Sequence, residues 1–238
     1  MAEFESIRST TRSDSNINID SGLRAHMNKV YGLMAVAMVI TGLVAWSIGT
    51  SPQLVGALFS NSIISLIVMF APLGFVFFLS ARVMKMSYSA GQLSFWLFSA
   101  LMGLSLSTIF VVYTGASIAN AFFTTAVAFG AMSLFGYTTK KDLSGMGRFL
   151  FMGVIGLIVA MIINWFTQSP GLEFAINVLG VLIFAGLTAY DTQNIKNMYY
   201  RGDSEEIGSK KALMGALKLY LDFINLFILL LQLFGQRR

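Results

Sequence analysis

Two stretches near the C-terminal end of the chain, FAGLTAYDTQNIK (residues 184–196) and KLYLDFINLF (residues 218–227), decide how the rest is read. Each is an apolar run carrying one carboxylate, Asp191 in the first and Asp222 in the second. An aspartate inside a membrane span costs roughly 2.5–3.5 kcal/mol on insertion scales, so an unpaired one facing lipid is disfavoured. Two on consecutive spans require a physical reason. The residues point to a proton-sensitive pair lining an ion path.

That both stretches are membrane spans follows from composition. Of 238 residues, 56% are hydrophobic and 11% charged, whereas soluble domains run near about 25% charged. Seven apolar stretches reach the roughly 20 residues that one crossing needs. They lie at about 30–48, 54–79, 93–113, 116–137, 149–166, 172–198 and 212–234. Pro72, inside the second, predicts a kink, because proline removes a backbone donor. The expected class is an all-α integral membrane protein with seven transmembrane helices in one domain, residues 22–238. A polar, aperiodic tail over residues 1–21 is expected to be disordered and cytoplasmic. No apolar run occurs before residue 29, so no cleavable signal peptide is expected.

Fourteen of the sixteen Lys and Arg residues fall on one side, in the N-terminal region ahead of the first span, in every second loop and at the span ends that adjoin those loops. Only Arg237 and Arg238 lie on the other side. The positive-inside bias therefore puts the N-terminus in the cytoplasm and the C-terminus outside. It also accounts for the net charge of +5 without invoking a nucleic-acid partner. With no cysteine and one histidine, His26, ahead of the spans, thiolate and His-cluster metal sites are excluded. Ser–His catalysis lacks its base, and no enzyme activity or cofactor is expected. His26 reads as an interfacial residue. The acidic loop YYRGDSEEIGSKK (residues 199–211) lacks the ligand spacing of a calcium loop and reads as solvated. Small and hydroxylated residues on the third span (Ser94, Ser99, Gly103, Ser105, Ser107, Thr108) and the sixth (Gly180, Ala185, Gly186, Ala189) suit close helix packing or a hydrated path, and the pattern alone does not choose.

The helical rise puts Asp191 roughly 28 Å along from Leu172 and Asp222 about 16 Å beyond Lys211, both in the cytoplasmic half. Asn225 and Lys218, three and four residues from Asp222, share its helical face. Arg82, at the cytoplasmic end of the second span, reaches a similar depth. Two carboxylates a few ångströms apart cannot both ionise cheaply, so they titrate as a pair. Protonated, the pair can share a hydrogen bond and close a constriction. Deprotonated, it repels or takes a cation, and Asp191 and Asp222 supply the oxygens that transient Ca²⁺ binding needs. The competing arrangement is two static salt bridges, Asp191 with Arg82 and Asp222 with Lys218.

The stretch GLTAYDTQNIK (residues 186–196) resembles the signature of the transmembrane Bax-inhibitor-motif family. The polar N-terminus, short outer loops and aspartate in the last span agree with it over roughly residues 22–235. The resemblance implies a seventh helix in the middle, surrounded by six. Bacterial members are similar to pH-sensitive calcium-leak proteins of the inner membrane. There the aspartate pair, here Asp191 and Asp222, is the sensor, and an arginine, here Arg82, latches the first of them. Lys218 departs from that pattern. Expected partners are the lipid bilayer, protons and Ca²⁺ as the permeant ion. The alternative implied by the family is an interaction protein that regulates a membrane protease or stress survival. A seven-helix retinal protein using Lys218 is disfavoured by the N-terminal side and by a third span without a counter-ion.

Overall fold

The computed structural model describes residues 21–238, and the expected tail lies outside them apart from Ser21. The helices are α1 (Ser21–Gly49), α2 (Pro52–Phe59), α3 (Ser62–Arg82), α4 (Tyr88–Leu106), α5 (Ile109–Val112), α6 (Gly115–Thr138), α7 (Ser144–Thr167), α8 (Pro170–Met198) and α9 (Glu205–Phe234). Seven spans are long and apolar enough to cross a bilayer, with α4 and α5 together forming the third. The protein is an all-α integral membrane protein. Among the described residues the only β-type pairing is an isolated bridge between Tyr113 and Arg237.

Helix starts follow local chemistry. Ser87, Thr114, Ser169 and Ser204 each accept a backbone N–H of the first turn of α4, α6, α8 and α9. Such caps satisfy donors that have no partner inside the helix. One cap corrects the sequence reading of a second span beginning at residue 54. Asn61 Oδ1 accepts from the amides of Ile63 (2.9 Å) and Ile64 (3.4 Å) and starts a new helix there. Residues 54–59 therefore belong to the short α2, none of whose residues is buried, and the crossing begins at Ser62. The break was hidden because apolar residues flank the cap on both sides. α3 runs as one helix through Pro72. The third stretch likewise breaks after Leu106, where the Ser107 and Thr108 hydroxyls turn back to donate to the carbonyls of Leu104 and Ser105.

The core is built around α9. In its most apolar stretch 72% of residues are buried, against 28% or less in every other span. α1, α4, α6 and α8 pack directly on it, while α3 packs on α4 and α7 on α8. Its direct walls are thus four of the six other spans, a coarser arrangement than a ring of six. Tyr220 of α9 sets its ring edge-on against Phe95 and Phe98 of α4, with centroids 5.7 Å away in each case. Its hydroxyl lies 2.7 Å from Thr41 Oγ1. Thr41 spends its single proton on the carbonyls of Ala37 and Ser99, both 2.9 Å away, so Tyr220 is the donor to Thr41. In water the outward residues Phe77, Val127, Trp165 and Phe166 would form a large sticky surface; in a bilayer they match the solvent.

Two glycines mark where helix backbones meet. A Cβ on Gly103 of α4 would stand 2.6 Å from the Thr41 carbonyl of α1, and one on Gly136 of α6 would overlap the Ala189 carbonyl of α8. For these positions the close-packing reading of the small residues holds. At the basic end, Lys29 donates to Ser209 Oγ (2.6 Å), Gln193 donates to the Lys141 carbonyl (2.8 Å), and Lys196 donates to the Tyr137 carbonyl (2.8 Å). At the opposite end, Thr114 donates to the Gln236 carbonyl and Arg237 pairs with Glu173 at 3.2 Å.

Candidate functional site

α8 and α9 are consecutive antiparallel helices, and glycines set how closely they approach. Ile195 packs where a Cβ of Gly215 would be, and Leu229 packs where one of Gly180 would be. That register brings Asp191 of α8 near Asp222 of α9, close enough for each carboxyl group to feel the other's charge. Asp222 is 5% exposed and its Oδ2 is buried with no hydrogen-bond donor. A buried acceptor left unpaired costs about 1–3 kcal/mol, more when charged, so this oxygen calls for a proton, a water or a cation.

The surroundings differ from both expected salt bridges. Lys218 Nζ lies 3.6 Å from Asp191 Oδ1, so this lysine reaches across to α8, and among the described residues it forms no salt bridge with Asp222 on its own helix. Arg82 is exposed in the last turn of α3 and forms no ion pair with Asp191 among the described residues. Its carry-over as a latch is unmatched in this conformation because its helix packs on α4, away from α8. Asn225 donates Nδ2 to the Leu221 carbonyl of its own helix (2.8 Å). His26 lies within α1, not ahead of it, and is buried, with its ring 5.8 Å from that of Tyr199. In the acidic loop, Asp203 is bonded to Lys211 (2.6 Å) and Glu206 to Lys210 (2.9 Å).

Sequence reasoning missed a hydroxyl relay beside the pair. Thr192, next to Asp191, lies 3.0 Å from Ser133 of α6, and Ser133 is hydrogen-bonded to the Tyr31 hydroxyl of α1. Thr192 itself donates to the Thr188 carbonyl (2.7 Å), and Thr188 to that of Phe184 (2.9 Å). The two threonines were visible in the quoted stretch; that Thr192 meets Ser133 of α6 was not. Chemically, the site holds two carboxylates, one ammonium group and neutral hydroxyls. That set can exchange protons and take up a hard cation.

The comparisons with known proteins place the chain. It is 48% identical over 229 residues to the inner membrane protein YbhL of Escherichia coli K12, covering 95% of this chain and 98% of that one. It is 43% identical over 231 residues to an uncharacterized protein of Rickettsia prowazekii, covering 97% and 98%. An uncharacterized protein of Caulobacter vibrioides is 44% identical over 245 residues, covering 97% and 96%. The family model described as inhibitor of apoptosis-promoting Bax1 matches residues 23–238, nearly the whole chain, with the aspartate pair inside the match. This multi-pass membrane protein therefore belongs to the Bax inhibitor-1-like family.

Proposed function

We propose that the chain is a passive cation leak, with Ca²⁺ as the permeant ion and the Asp191–Asp222 pair as its proton-controlled constriction. The observation that carries this reading is Asp222 Oδ2, buried and without a donor opposite a second carboxylate. A helix retained only for packing has no use for such a group. In the closed conformation a proton sits between the two carboxyls and removes their repulsion. As pH rises the proton leaves, the like charges push α8 and α9 apart, and a cation replaces the proton. Flux then rises with pH. The charge bias supports an N-terminus in the cytoplasm, and the E. coli relative supports the bacterial inner membrane. Arg82 belongs, on this reading, to another conformation, since Lys218 holds Asp191 here.

The test is Ca²⁺ entry into dye-loaded proteoliposomes between about pH 6 and about pH 8. Wild type is expected to conduct more at the higher pH, and Asp191→Asn combined with Asp222→Asn to show no pH dependence. An unchanged profile in the double variant sinks the proposal. Lys218 supplies a graded check. Its ammonium group competes with an incoming cation for Asp191, but it is 39% exposed and the pair is worth at most about 1 kcal/mol. Lys218→Met is therefore expected to raise Ca²⁺ flux at about pH 8 by roughly two- to fivefold. A fall in flux would show that the lysine helps form the path.

A further inference from the structure

We propose that the hydrogen bond between Tyr31 and Ser133 is a latch that holds α1 and α6 together across the open side of the bundle. The packing divides the spans other than α9 into two groups. α1 and α3 both pack on α4, α6 and α7 both pack on α8, and α9 leans on both groups. α1 makes little direct contact with α8 and less with α6. Between α1 and α6 runs a slot of two adjoining cavities, ≈740 Å³ and ≈600 Å³. Tyr31 lines both, so its side chain stands across the slot as a bar.

The proton order of the relay follows from its far end. Thr192 donates to the Thr188 carbonyl at 2.7 Å, so Ser133, 3.0 Å away, is the donor to Thr192. Tyr31 is then the donor to Ser133. What Ser133 holds is a rigid pair of helices. Gln193 of α8 donates to the Lys141 carbonyl (2.8 Å) and accepts the Leu143 amide (2.9 Å), and Lys196 donates to the Tyr137 carbonyl (2.8 Å). With the close approach of Gly136 to the Ala189 carbonyl, these contacts fix residues 189–196 of α8 to α6 and the loop after it. That stretch carries Asp191. Tyr31 belongs to a helix held just as firmly to α4, through Thr41 on the Ser99 carbonyl (2.9 Å) and the backbone contact at Gly103.

One bond thus joins two stiff bodies across a gap that packing does not fill. Hydrocarbon supplies no substitute acceptor for the Tyr31 proton, which favours the latched arrangement at rest. A single hydroxyl–hydroxyl bond is also weak enough to break and re-form, which an interlocked helix face is not. Nearer the basic end, His26 packs on Tyr199 just beyond α8 and is the competing hold on α1. The inference concerns what keeps the two groups together and does not depend on the leak reading, so either can fail alone.

The experiment measures the width of the slot in the full chain in vesicles, by electron–electron double resonance between two spin labels. The chain has no cysteine of its own, so Val36→Cys on α1 and Val127→Cys on α6 give one label on each side. Both positions are exposed, neither lines the slot, and they lie roughly 7.5 and 9 Å along their helices from the latch. Tyr31→Phe keeps the ring and removes one oxygen. It is expected to raise the ratio of wide to narrow distances by roughly two- to tenfold over the labelled parent. Ser133→Ala should widen the slot in the same way, and adding Tyr31→Phe to it should widen it no further, since both remove one bond. Thr125→Val, which removes a buried bond inside α6, should leave the distances in place. Distances in Tyr31→Phe that superimpose on the parent would assign the hold to the His26 contact and overturn the latch. Equal widening in Thr125→Val would overturn it too, by showing that any softening of α6 opens the slot.

Discussion

Asp222→Asn alone is expected to lower Ca²⁺ flux at about pH 8 by at least about tenfold and to raise the unfolding temperature by a few degrees. Both effects come from one change at one atom. Asparagine keeps the shape of the side chain but presents an amide N–H where Oδ2 now has no donor, and that N–H can be given to Asp191. A buried unsatisfied acceptor costs about 1–3 kcal/mol, and for a chain of this length one kcal/mol corresponds to roughly 2–4 °C. The variant therefore gains stability from the hydrogen bond that wild type completes only when protonated. On the proposed leak reading it loses flux for the same reason, because the constriction stays bonded at every pH. A tenfold loss corresponds to about 1.4 kcal/mol of added closing energy, within what one such bond supplies. Flux in proteoliposomes and thermal unfolding in detergent check the two halves separately. Unchanged flux would remove Asp222 from the path. A lower unfolding temperature would show that the carboxylate is already ionised and paired in the resting state.

How much of this was legible in the sequence depends on which force was being read. Crossing a bilayer needs length and apolarity, both local properties, so seven spans could be counted from residues alone. Position within the bundle is different, because lipid and protein interior are equally apolar. The outer α3 and α7 are more hydropathic than the buried α9, so hydropathy ranks the spans in the wrong order for burial. What marks α9 is the carboxylate it must keep away from lipid. Asp191 and Asp222 were found that way, and the structure brings them together. The partners were not found, because they depend on the register between helices. Lys218 lies four residues before Asp222, which makes a bond within α9 the natural reading, yet its long side chain reaches α8. The relay through Thr192, Ser133 and Tyr31 joins three helices from distant parts of the sequence, and no spacing announces it. Asn61 shows the opposite case. It is a local capping signal that a window average over apolar neighbours conceals.

Gly136→Val is expected to be the most damaging single substitution at the helix interfaces, lowering the unfolding temperature by roughly 4 °C or more. The argument is steric. A Cβ on Gly136 falls on the Ala189 carbonyl, which is backbone in the middle of α8 and has no rotamer to move into. Overpacking a tight core costs about 1–3 kcal/mol, and the upper part of that range applies where the obstacle is main chain. If α6 and α8 separate to make room, the loss spreads. Ser133, one turn before Gly136, is hydrogen-bonded to Thr192, and Ala189 lies two residues before Asp191. The displacement therefore reaches the aspartate pair, and any Gly136→Val protein that does insert should have an altered flux profile. Gly136→Ala should show the same effect at smaller size. Gly130→Leu, on the same helix but facing open space, should leave the unfolding curve where it is. If Gly130 and Gly136 proved equally sensitive, helix propensity and not the α6–α8 contact would be the cause. If neither mattered, the close approach of these two helices would not be what holds Asp191 in place.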